Sequence, residues 1–359
     1  MSSSKPQPCA VIMAGGTGGH IFPGLAVAEA LLAAGWRVHW LGNPQGMEAD
    51  LVCPKGIPFE PVHFGGVRGK GLMSWLKMPW RLFSSGLASL RALMRVQPDV
   101  VVGMGGYITV PGGLATVLLG RTLILHEQNS RAGLANKLLS WLADRVYTAF
   151  PHVLDKGLWV GNPLREAFTQ QEPPAQRFEG RQGPLRIVVV GGSLGAQALN
   201  TVVPQALALL GAAQRPLVTH QSGQKHLQAL QQAYIDAGVE ARTLAFIDDT
   251  AQAFAEADLV IARAGASTVT ELAAIGAAAL FVPFPHAVDD HQTSNAAFLV
   301  DKGAAWVMPQ PTFTPEALRD WLLEIDRNQL QQAAQKAKAL ARTGATRAIV
   351  SACSEVVGS

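Results

Sequence analysis

The sequence predicts an α/β protein with two parallel-sheet domains that face a shared cleft. A glycine-rich turn occurs twice, at residues 15–19 and 191–195, about one domain length apart. Each turn follows a short apolar run and precedes a helical pattern, and the two kinds of pattern alternate along the chain. The length of 359 residues is enough for two domains with separate hydrophobic cores.

Ten short apolar runs are predicted to be strands, five in each half of the chain. They are residues 10–14, 38–41, 100–104, 122–126 and 145–149, followed by 186–190, 217–220, 242–246, 259–262 and 278–282. The first helix is expected to have Pro23 at its first position and to stop at Gly35. In the second half, Asn200 is expected to cap a helix whose first turn contains Pro204.

The composition excludes several classes of protein. With 48% hydrophobic and 15% charged residues, the chain is globular rather than disordered. Its three cysteines are far apart, which disfavours a disulfide framework or a structural zinc site and favours a reducing compartment. Residues 100–120 carry no charge, but six glycines and one proline there favour turns over a membrane helix.

Charge is distributed unequally between the halves. Residues 1–165 hold 15 Lys and Arg against 8 acidic residues, whereas residues 166–359 hold 14 against 18. An anionic surface is therefore expected to attract only the first half. The polar, proline-rich residues 169–184 are typical of a linker or a surface loop.

The first glycine turn has the layout in which backbone N–H groups at a helix start bind phosphate. It does not match the dinucleotide fingerprint, because Ile21 stands where the third glycine would be and no acidic residue follows the second strand before Glu48. A nicotinamide enzyme is therefore disfavoured. The alternative for both glycine turns is a tight connection without a ligand.

Polar side chains are predicted to gather where the strands of the first sheet end. His20 lies at a helix start, where nearby N–H groups favour a neutral imidazole that can accept a proton; alternatively it only orients the turn. His126 to Asn129 follow one strand and Gly103 to Tyr107 follow its neighbour, at the edge where ligands bind in open α/β sheets. A solvated turn is the alternative for residues 126–129.

The strongest pattern in the second half is residues 263–271, a run of small residues between a strand and a helix. Its helix start offers N–H groups and a positive dipole to a diphosphate. Glu271 is expected to bind ribose hydroxyls, although Thr268 and Glu271 also match a capping box. Further on, Gln292 is expected to bind sugar hydroxyls. Asp289, Asp290 and His291 give only a weak metal pattern and no D-x-D triplet occurs, so no metal is predicted.

A basic segment with a helical aromatic stripe lies between Glu60 and Asp99, where no acidic residue occurs. Such a stripe suits the surface of an anionic membrane, and a buried face of an ordinary crossover helix is the alternative. Nucleic acid is not expected as a partner, because no recognition module accompanies the charge. The residues predicted to contact the membrane are Lys70, Leu72, Trp75, Leu76, Lys77, Trp80, Arg81 and Phe83.

Six motifs occur in the order found in one bacterial enzyme family. They are residues 15–24, 105–107, 126–129, 161–165, 191–193 and 263–271. From about residue 9 to its C-terminus, the chain resembles the MurG family. The resemblance implies a GT-B fold with two Rossmann-like, doubly wound domains: residues 1–163 binding the acceptor and facing the membrane, residues 164–342 binding UDP-GlcNAc, and a last helix at 343–359 that returns to the first domain.

The resemblance also implies the activity. N-acetylglucosamine would pass from UDP-GlcNAc to the C4 hydroxyl of undecaprenyl-pyrophosphoryl-MurNAc-pentapeptide, with inversion and without a metal or another cofactor. The enzyme would be peripheral, on the cytoplasmic face of the bacterial inner membrane. A GT-B UDP-GlcNAc 2-epimerase and a non-catalytic, membrane-bound nucleotide-binding protein are the alternatives, and the basic stripe weighs against the epimerase.

By the same resemblance, His20 and Glu127 are catalytic candidates, and Tyr107 and Asn136 contact the acceptor. The loop at 286–295 is one residue longer than the family pattern, but Gln292 keeps its distance from Asn295. The donor contacts fall on Thr17, Gly18, Gly19, Asn129, Arg165, Ser193, Ile247, Ala266, Ser267, Thr268, Val269, Thr270, Glu271 and Gln292.

Overall fold

The computed structural model describes residues 7–65, 78–192 and 195–358. These residues form two compact units, each built on a parallel sheet. The first unit comprises the residues up to Arg165 together with those from Arg342 onward, and the second is Glu166–Ala341. The chain therefore passes between the units twice.

The first unit contains a parallel sheet of seven strands in the order β3-β2-β1-β4-β5-β6-β7. The strands are β1 Cys9–Met13, β2 Arg37–Gly42, β3 Phe59–Pro61, β4 Val100–Gly103, β5 Thr122–Glu127, β6 Arg145–Thr148 and β7 Leu158–Trp159. The helices are α1 Gly18–Ala33, α2 Met47–Val52, α3 Met78–Val96, α4 Thr109–Leu118, α5 Leu134–Leu139 and, at the C-terminus, Ala345–Gly358, which packs on α1.

The second unit contains a parallel sheet of six strands in the order β10-β9-β8-β11-β12-β13. The strands are β8 Arg186–Val190, β9 Leu217–Gln221, β10 Arg242–Leu244, β11 Leu259–Ala262, β12 Ala279–Phe281 and β13 Trp306–Val307. The helices are α6 Glu166–Thr169, α7 Pro174–Phe178, α8 Gln197–Ala208, α9 Leu227–Asp236, α10 Thr250–Glu256, α11 Ala266–Ile275, α12 His291–Val300, α13 Pro315–Glu324 and α14 Arg327–Leu340; the C-terminal helix of the first unit is then α15. Short 3-10 turns lie at Cys53–Lys55, Ala212–Gln214, Gln224–His226, Val288–Asp290 and Gln310–Thr312.

The central strands are apolar throughout because both of their faces are covered. In β1, Ala10 and Ile12 belong to one core cluster, whereas Val11 and Met13 belong to another. Successive side chains of a strand point to opposite faces, so one strand supplies two cores. This explains why the sequence shows continuous apolar runs instead of alternation.

In each sheet the strand order reverses at one place, between β1 and β4 in the first and between β8 and β11 in the second. Open α/β sheets bind ligands at the carboxyl ends of the strands at such a switch point. The two glycine turns directly follow β1 and β8. In the first sheet, Gly106 has φ +87°, and a Cβ there would overlap the carbonyl oxygen of Gly15, so only glycine lets these loops close together.

All ten predicted strands are confirmed, with ends shifted by at most two residues. The strands β3, β7 and β13 were not predicted, because edge strands of two or three residues carry too little periodicity. Gly35 follows α1 with φ +83°, as expected of a helix stop.

Two expectations about proline are wrong. The helix α1 begins at Gly18, because the Thr17 carbonyl already accepts hydrogen bonds from the N–H groups of His20 and Ile21, and Pro23 therefore lies inside it. The helix α8 begins at Gln197, so Pro204 also lies in a helix interior. Asn200 does not cap α8, since its side-chain amide donates to the Ser222 carbonyl.

None of the helices in the described part of the chain is both long enough and apolar enough to cross a membrane.

Candidate active site

The first glycine turn is closed on one side by a buried carboxylate. Glu48 is 2% exposed and accepts hydrogen bonds from the backbone N–H groups of Gly16 at 3.2 Å and Asn43 at 3.0 Å. The Gly16 N–H is therefore occupied. The first N–H groups of a helix have no acceptor within the helix, so the donors this turn offers to a ligand are those of Gly18 and Gly19 at the start of α1.

His20 is half-buried in the first turn of α1, and its Nδ1 lies 2.8 Å from Oε1 of Gln128. A Cβ at Gly105 would lie 3.0 Å from this Nδ1, so the glycine after β4 makes room for the imidazole. Tyr107, on the same loop, has 45% of its surface exposed. The structure thus brings together the loops after β1, β4 and β5 around His20.

The carboxylate of Glu127 organises the loop that follows β5. Oε1 accepts the N–H of Asn129 at 2.9 Å, while Oε2 accepts the N–H of Gly133 at 3.1 Å and the side-chain amide of Asn136 at 2.9 Å. Both oxygens are therefore used, and Glu127 itself is 2% exposed. Asn136 is 1% exposed, which makes it a support of Glu127 in this structure.

His126 and Gln128 connect His20 to the interior, although sequence reasoning did not single them out individually. His126 is completely buried and donates from Nε2 to the carbonyl oxygen of Gly161 at 2.9 Å. Burial lowers the pKa of His126 to about 4, so its imidazole is neutral near pH 7. In the sequence, the only indication of a role for His126 and Gln128 is that they flank Glu127, a catalytic candidate.

The second glycine turn also lies beside the ends of neighbouring strands. Gln221, at the end of β9, donates its side-chain amide to the carbonyl oxygens of Gly192 at 3.1 Å and Ala245 at 3.3 Å. It thereby joins the turn after β8 to the loop after β10, in which Ile247 is half-buried. The predicted donor contact Ser193 lies outside the described residues.

The helix α11 begins where the diphosphate was predicted to bind. Gly265 is its N-cap residue, with extended backbone and no side-chain cap, so the N–H groups of residues 266–268 have no intrahelical acceptor. Thr268 is therefore the third helical residue, and the alternative of a Thr268–Glu271 capping box is wrong. Glu271 is half-buried in the second turn, whereas Val269 and Thr270 are buried and Thr270 bonds the Ala266 carbonyl at 2.9 Å.

Arg263 holds the loops around α11 together. Its guanidinium donates to the carbonyl oxygens of Val282 at 2.9 Å and Pro283 at 3.1 Å, and to Oε1 of Gln310 at 2.6 Å. Burial lowers the pKa of Arg263. Gln292, at the start of α12, accepts the N–H of Phe284 at 2.9 Å. The sequence singled out the run starting at Arg263, but it did not show this tethering role.

Two further positions from the sequence analysis, Arg165 and Asp290, are both exposed. Arg165 is exposed at the end of the first unit. Asp290 accepts a hydrogen bond from Thr293 at 2.7 Å within its own loop. Within residues 7–65, 78–192 and 195–358, no three His, Cys, Asp or Glu side chains are grouped so as to hold a metal ion.

Part of the predicted aromatic stripe lies on α3. Trp80 is 72% exposed and Phe83 64%, and Arg81 is exposed between them. The helix α3 packs on α4, which packs on α5, and these neighbours add exposed apolar side chains: Leu114, Val117, Leu118, Leu134 and Leu138, with Trp141 just beyond. Lys70, Leu72, Trp75, Leu76 and Lys77 lie outside the described residues.

Comparison with known proteins shows the fold and the family of this chain. The N-terminal domain model of glycosyltransferase family 28 matches residues 10–148, and the C-terminal domain model matches residues 186–351. Two relatives are named UDP-N-acetylglucosamine–N-acetylmuramyl-(pentapeptide) pyrophosphoryl-undecaprenol N-acetylglucosamine transferase. The protein of Paracidovorax citrulli is 60% identical to this chain, and the alignment covers 97% of this chain and 98% of the relative. The protein of Albidiferax ferrireducens is 61% identical, and the alignment covers 97% of this chain and 91% of the relative. A crystal structure of Acinetobacter baumannii MurG superposes with a TM-score of 0.85 at 40% identity, over 97% of this chain and 99% of that one. The chain has the GT-B fold and belongs to the MurG family of glycosyltransferases.

Proposed function

We propose that this chain carries out the reaction for which its relatives are named. It is an N-acetylglucosaminyltransferase of peptidoglycan synthesis, which transfers N-acetylglucosamine from UDP-GlcNAc to undecaprenyl-pyrophosphoryl-MurNAc-pentapeptide, converting lipid I to lipid II. The observation that carries the proposal is its similarity, over nearly the full length, to proteins with this name.

In this proposal the second unit binds the donor. The N–H groups of residues 266–268 and the positive end of the α11 dipole stabilise the diphosphate, and they bear the charge that develops as UDP leaves. Glu271, one turn further along α11, accepts hydrogen bonds from the ribose hydroxyls. Gln292 orients the sugar, and Arg263 fixes the surrounding loops through the carbonyl groups that it binds.

The first unit then supplies the base. The acceptor's C4 oxygen attacks the anomeric carbon, the bond from that carbon to the UDP oxygen breaks, and the hydroxyl proton moves to Nε2 of His20. One displacement inverts the anomeric centre. Glu127 has both carboxylate oxygens engaged by its own loop, which favours His20 as the proton acceptor. Protonation of a positioned histidine in the transition state contributes about 10²–10⁴-fold to a rate.

The acceptor is a membrane lipid, and the exposed side chains of α3 offer a way to approach it. Trp80 and Phe83 have the amphipathic or apolar character that enters a lipid interface, and Arg81 and Arg91 are exposed beside them. Each basic residue near an anionic membrane surface adds about 1 kcal/mol of attraction. We therefore place the protein peripherally on the cytoplasmic face of the inner membrane.

The test is UDP release by the purified protein, with and without a short-chain lipid-linked muramyl-pentapeptide and with a chelator present. We expect release that requires the acceptor and persists with the chelator. Conversion of UDP-GlcNAc without acceptor would identify an epimerase, and no turnover with acceptor would leave a nucleotide-binding protein. Either result would overturn the proposed function. Loss of activity in the presence of the chelator would overturn the proposal that the reaction needs no metal.

A further inference from the structure

Four groups in the first unit form a continuous chain of hydrogen bonds that ends on His20. The carbonyl oxygen of Gly161 lies 2.9 Å from Nε2 of His126, and Nδ1 of His126 lies 3.0 Å from Nε2 of Gln128. Oε1 of Gln128 lies 2.8 Å from Nδ1 of His20. The bond between the Gly161 carbonyl oxygen and His126 determines which group donates and which accepts in each of the other hydrogen bonds.

A carbonyl oxygen can only accept, so Nε2 of His126 must carry a proton. His126 is completely buried, and burial lowers its pKa to about 4, which keeps the ring neutral. A neutral imidazole has only one N–H, and Nδ1 of His126 is therefore a hydrogen-bond acceptor.

The orientation of the Gln128 amide follows from that acceptor. Its NH₂ group donates to Nδ1 of His126 at 3.0 Å and to the His126 carbonyl oxygen at 3.1 Å. The reversed amide would place its oxygen against a lone pair and a carbonyl oxygen, which are two repulsive contacts. Because Gln128 is 1% exposed, water cannot compensate for them.

From this chain we infer that Gln128 is a positioning residue, which holds His20 as the Nδ1–H tautomer and so leaves the lone pair on Nε2. The oxygen of Gln128 faces Nδ1 of His20 and can only accept, so Nδ1 carries the proton. The same hydrogen bond persists when Nε2 gains a proton, so the ring need not rotate during proton transfer. The consequence for turnover rests on the proposed role of His20 as the base, whereas the tautomer itself does not.

The direct test is ¹⁵N NMR of the protein with labelled histidine, using a His20→Gln variant to identify the His20 signals among the nine histidines. We expect the neutral His20 ring of the wild-type protein to show a protonated Nδ1 and an unprotonated Nε2. A wild-type His20 with its proton on Nε2 would overturn the inference without any variant of Gln128.

Two substitutions then separate positioning from packing. Gln128→Met keeps an unbranched side chain of similar length but removes the acceptor. We expect a mixture of His20 tautomers and a kcat that is lowered by up to about tenfold. The KM for UDP-GlcNAc should stay within about twofold of the wild-type value. Gln45→Met, at an exposed position of the same unit, is the control and should change neither the tautomer nor kcat.

Unchanged kcat and an unchanged tautomer in Gln128→Met would overturn the inference. Should His20→Gln retain full kcat, the proposed base would be wrong, while the wild-type spectrum would still decide whether the tautomer is held. The failure of the inference and the failure of the proposed mechanism are thus distinguishable.

Discussion

A hydrogen bond of 2.9 Å joins the side-chain amide of Asn136 to Oε2 of Glu127, and both residues are almost completely buried. It connects the start of α5 to the end of β5, and so fixes the loop between them. We expect Asn136→Ala to destabilise the protein by about 1–3 kcal/mol, because a buried carboxylate loses a donor. Chemical denaturation measures this, with Lys137→Ala, an exposed neighbour, as control. Equal stability of the two variants would contradict a structural role of this bond.

Removal of the proposed base should affect the chemical step specifically. We expect His20→Ala to lower kcat by about 10²-fold or more, since general-base assistance is lost. Steady-state UDP release measures kcat, and thermal denaturation checks that the variant is folded. His63→Ala, at an exposed position of the same unit, should retain full activity. A loss below about threefold in His20→Ala would move the role to another residue, with Glu127 the next to test.

Glu271 should act on donor binding. We expect Glu271→Ala to raise the KM for UDP-GlcNAc by about tenfold or more, because two ribose hydroxyls lose their acceptor. The measurement is KM for the donor at saturating acceptor, with Glu316→Ala at an exposed site of α13 as control. Since Gly265 and not Thr268 caps α11, an unchanged KM could not be attributed to a capping role of Glu271 and would contradict its place in the donor site.

A buried ion pair network should make the second unit sensitive to acid. The carboxylate of Asp258 is buried and accepts from Arg181 at 2.8 Å, from Arg327 at 3.1 Å and from the N–H of Arg186 at 2.9 Å. Burial alone would raise the pKa of Asp258, but the hydrogen bonds from Arg327, Arg181 and Arg186 together lower it below its usual value. The stabilisation is therefore complete above the pKa of the unfolded carboxyl group, about 3.9, and is lost as the pH falls through the lower folded value.

Asp258→Ala should thus cost roughly 3–5 kcal/mol near neutral pH, because two partly buried guanidinium groups lose their partner. Denaturant unfolding at pH 7 and at pH 3 measures the cost and its decline with acid. Asp236→Ala, at an exposed position of α9, should stay within about 0.5 kcal/mol of the wild type. A cost for Asp258→Ala that is equally small would contradict the network's contribution.

The exposed end of α3 should govern membrane binding. We expect a Trp80→Ser, Phe83→Ser double variant to bind vesicles of anionic phospholipid at least tenfold more weakly, because it loses the apolar surface that enters the interface. Sedimentation with vesicles measures the binding, and neutral vesicles test the contribution of the arginines. Leu158→Ser is the control, since Leu158 is 61% exposed on β7, outside these helices. Equal binding by the double variant and the wild type would contradict the proposed surface.

The parts of the fold that were predictable are those set by local patterns. Continuous apolar runs identified ten strands, and the glycine turns that were recognised follow β1 and β8, where the strand order of each sheet reverses. The start of α1 was misjudged because Pro23 suits a first helical position, while the backbone of Thr17 began the helix earlier. Local sequence does not show which carbonyl group first accepts a helical hydrogen bond.

The site was predictable in its outline and not in its connections. The motif at 126–129 was recognised, but the separate tasks of its members depend on partners distant in sequence. His126 bonds Gly161, 35 residues away, and Gln128 bonds His20, 108 residues away. Glu48 was noted only as the first acidic residue after the second strand, whereas its carboxylate, at the start of the next helix, closes the glycine turn. Long-range contacts of this kind are specified by the tertiary fold.

Both sheets end in very short strands. The outermost strands β3 and β10 have three residues each, and β7 and β13 have two. An exposed strand edge is a template for pairing with another chain, and a shorter edge strand offers fewer unpaired backbone groups for that pairing. The long apolar strands that would aggregate most readily are enclosed in the middle of each sheet, where their backbone groups are already paired with neighbouring strands.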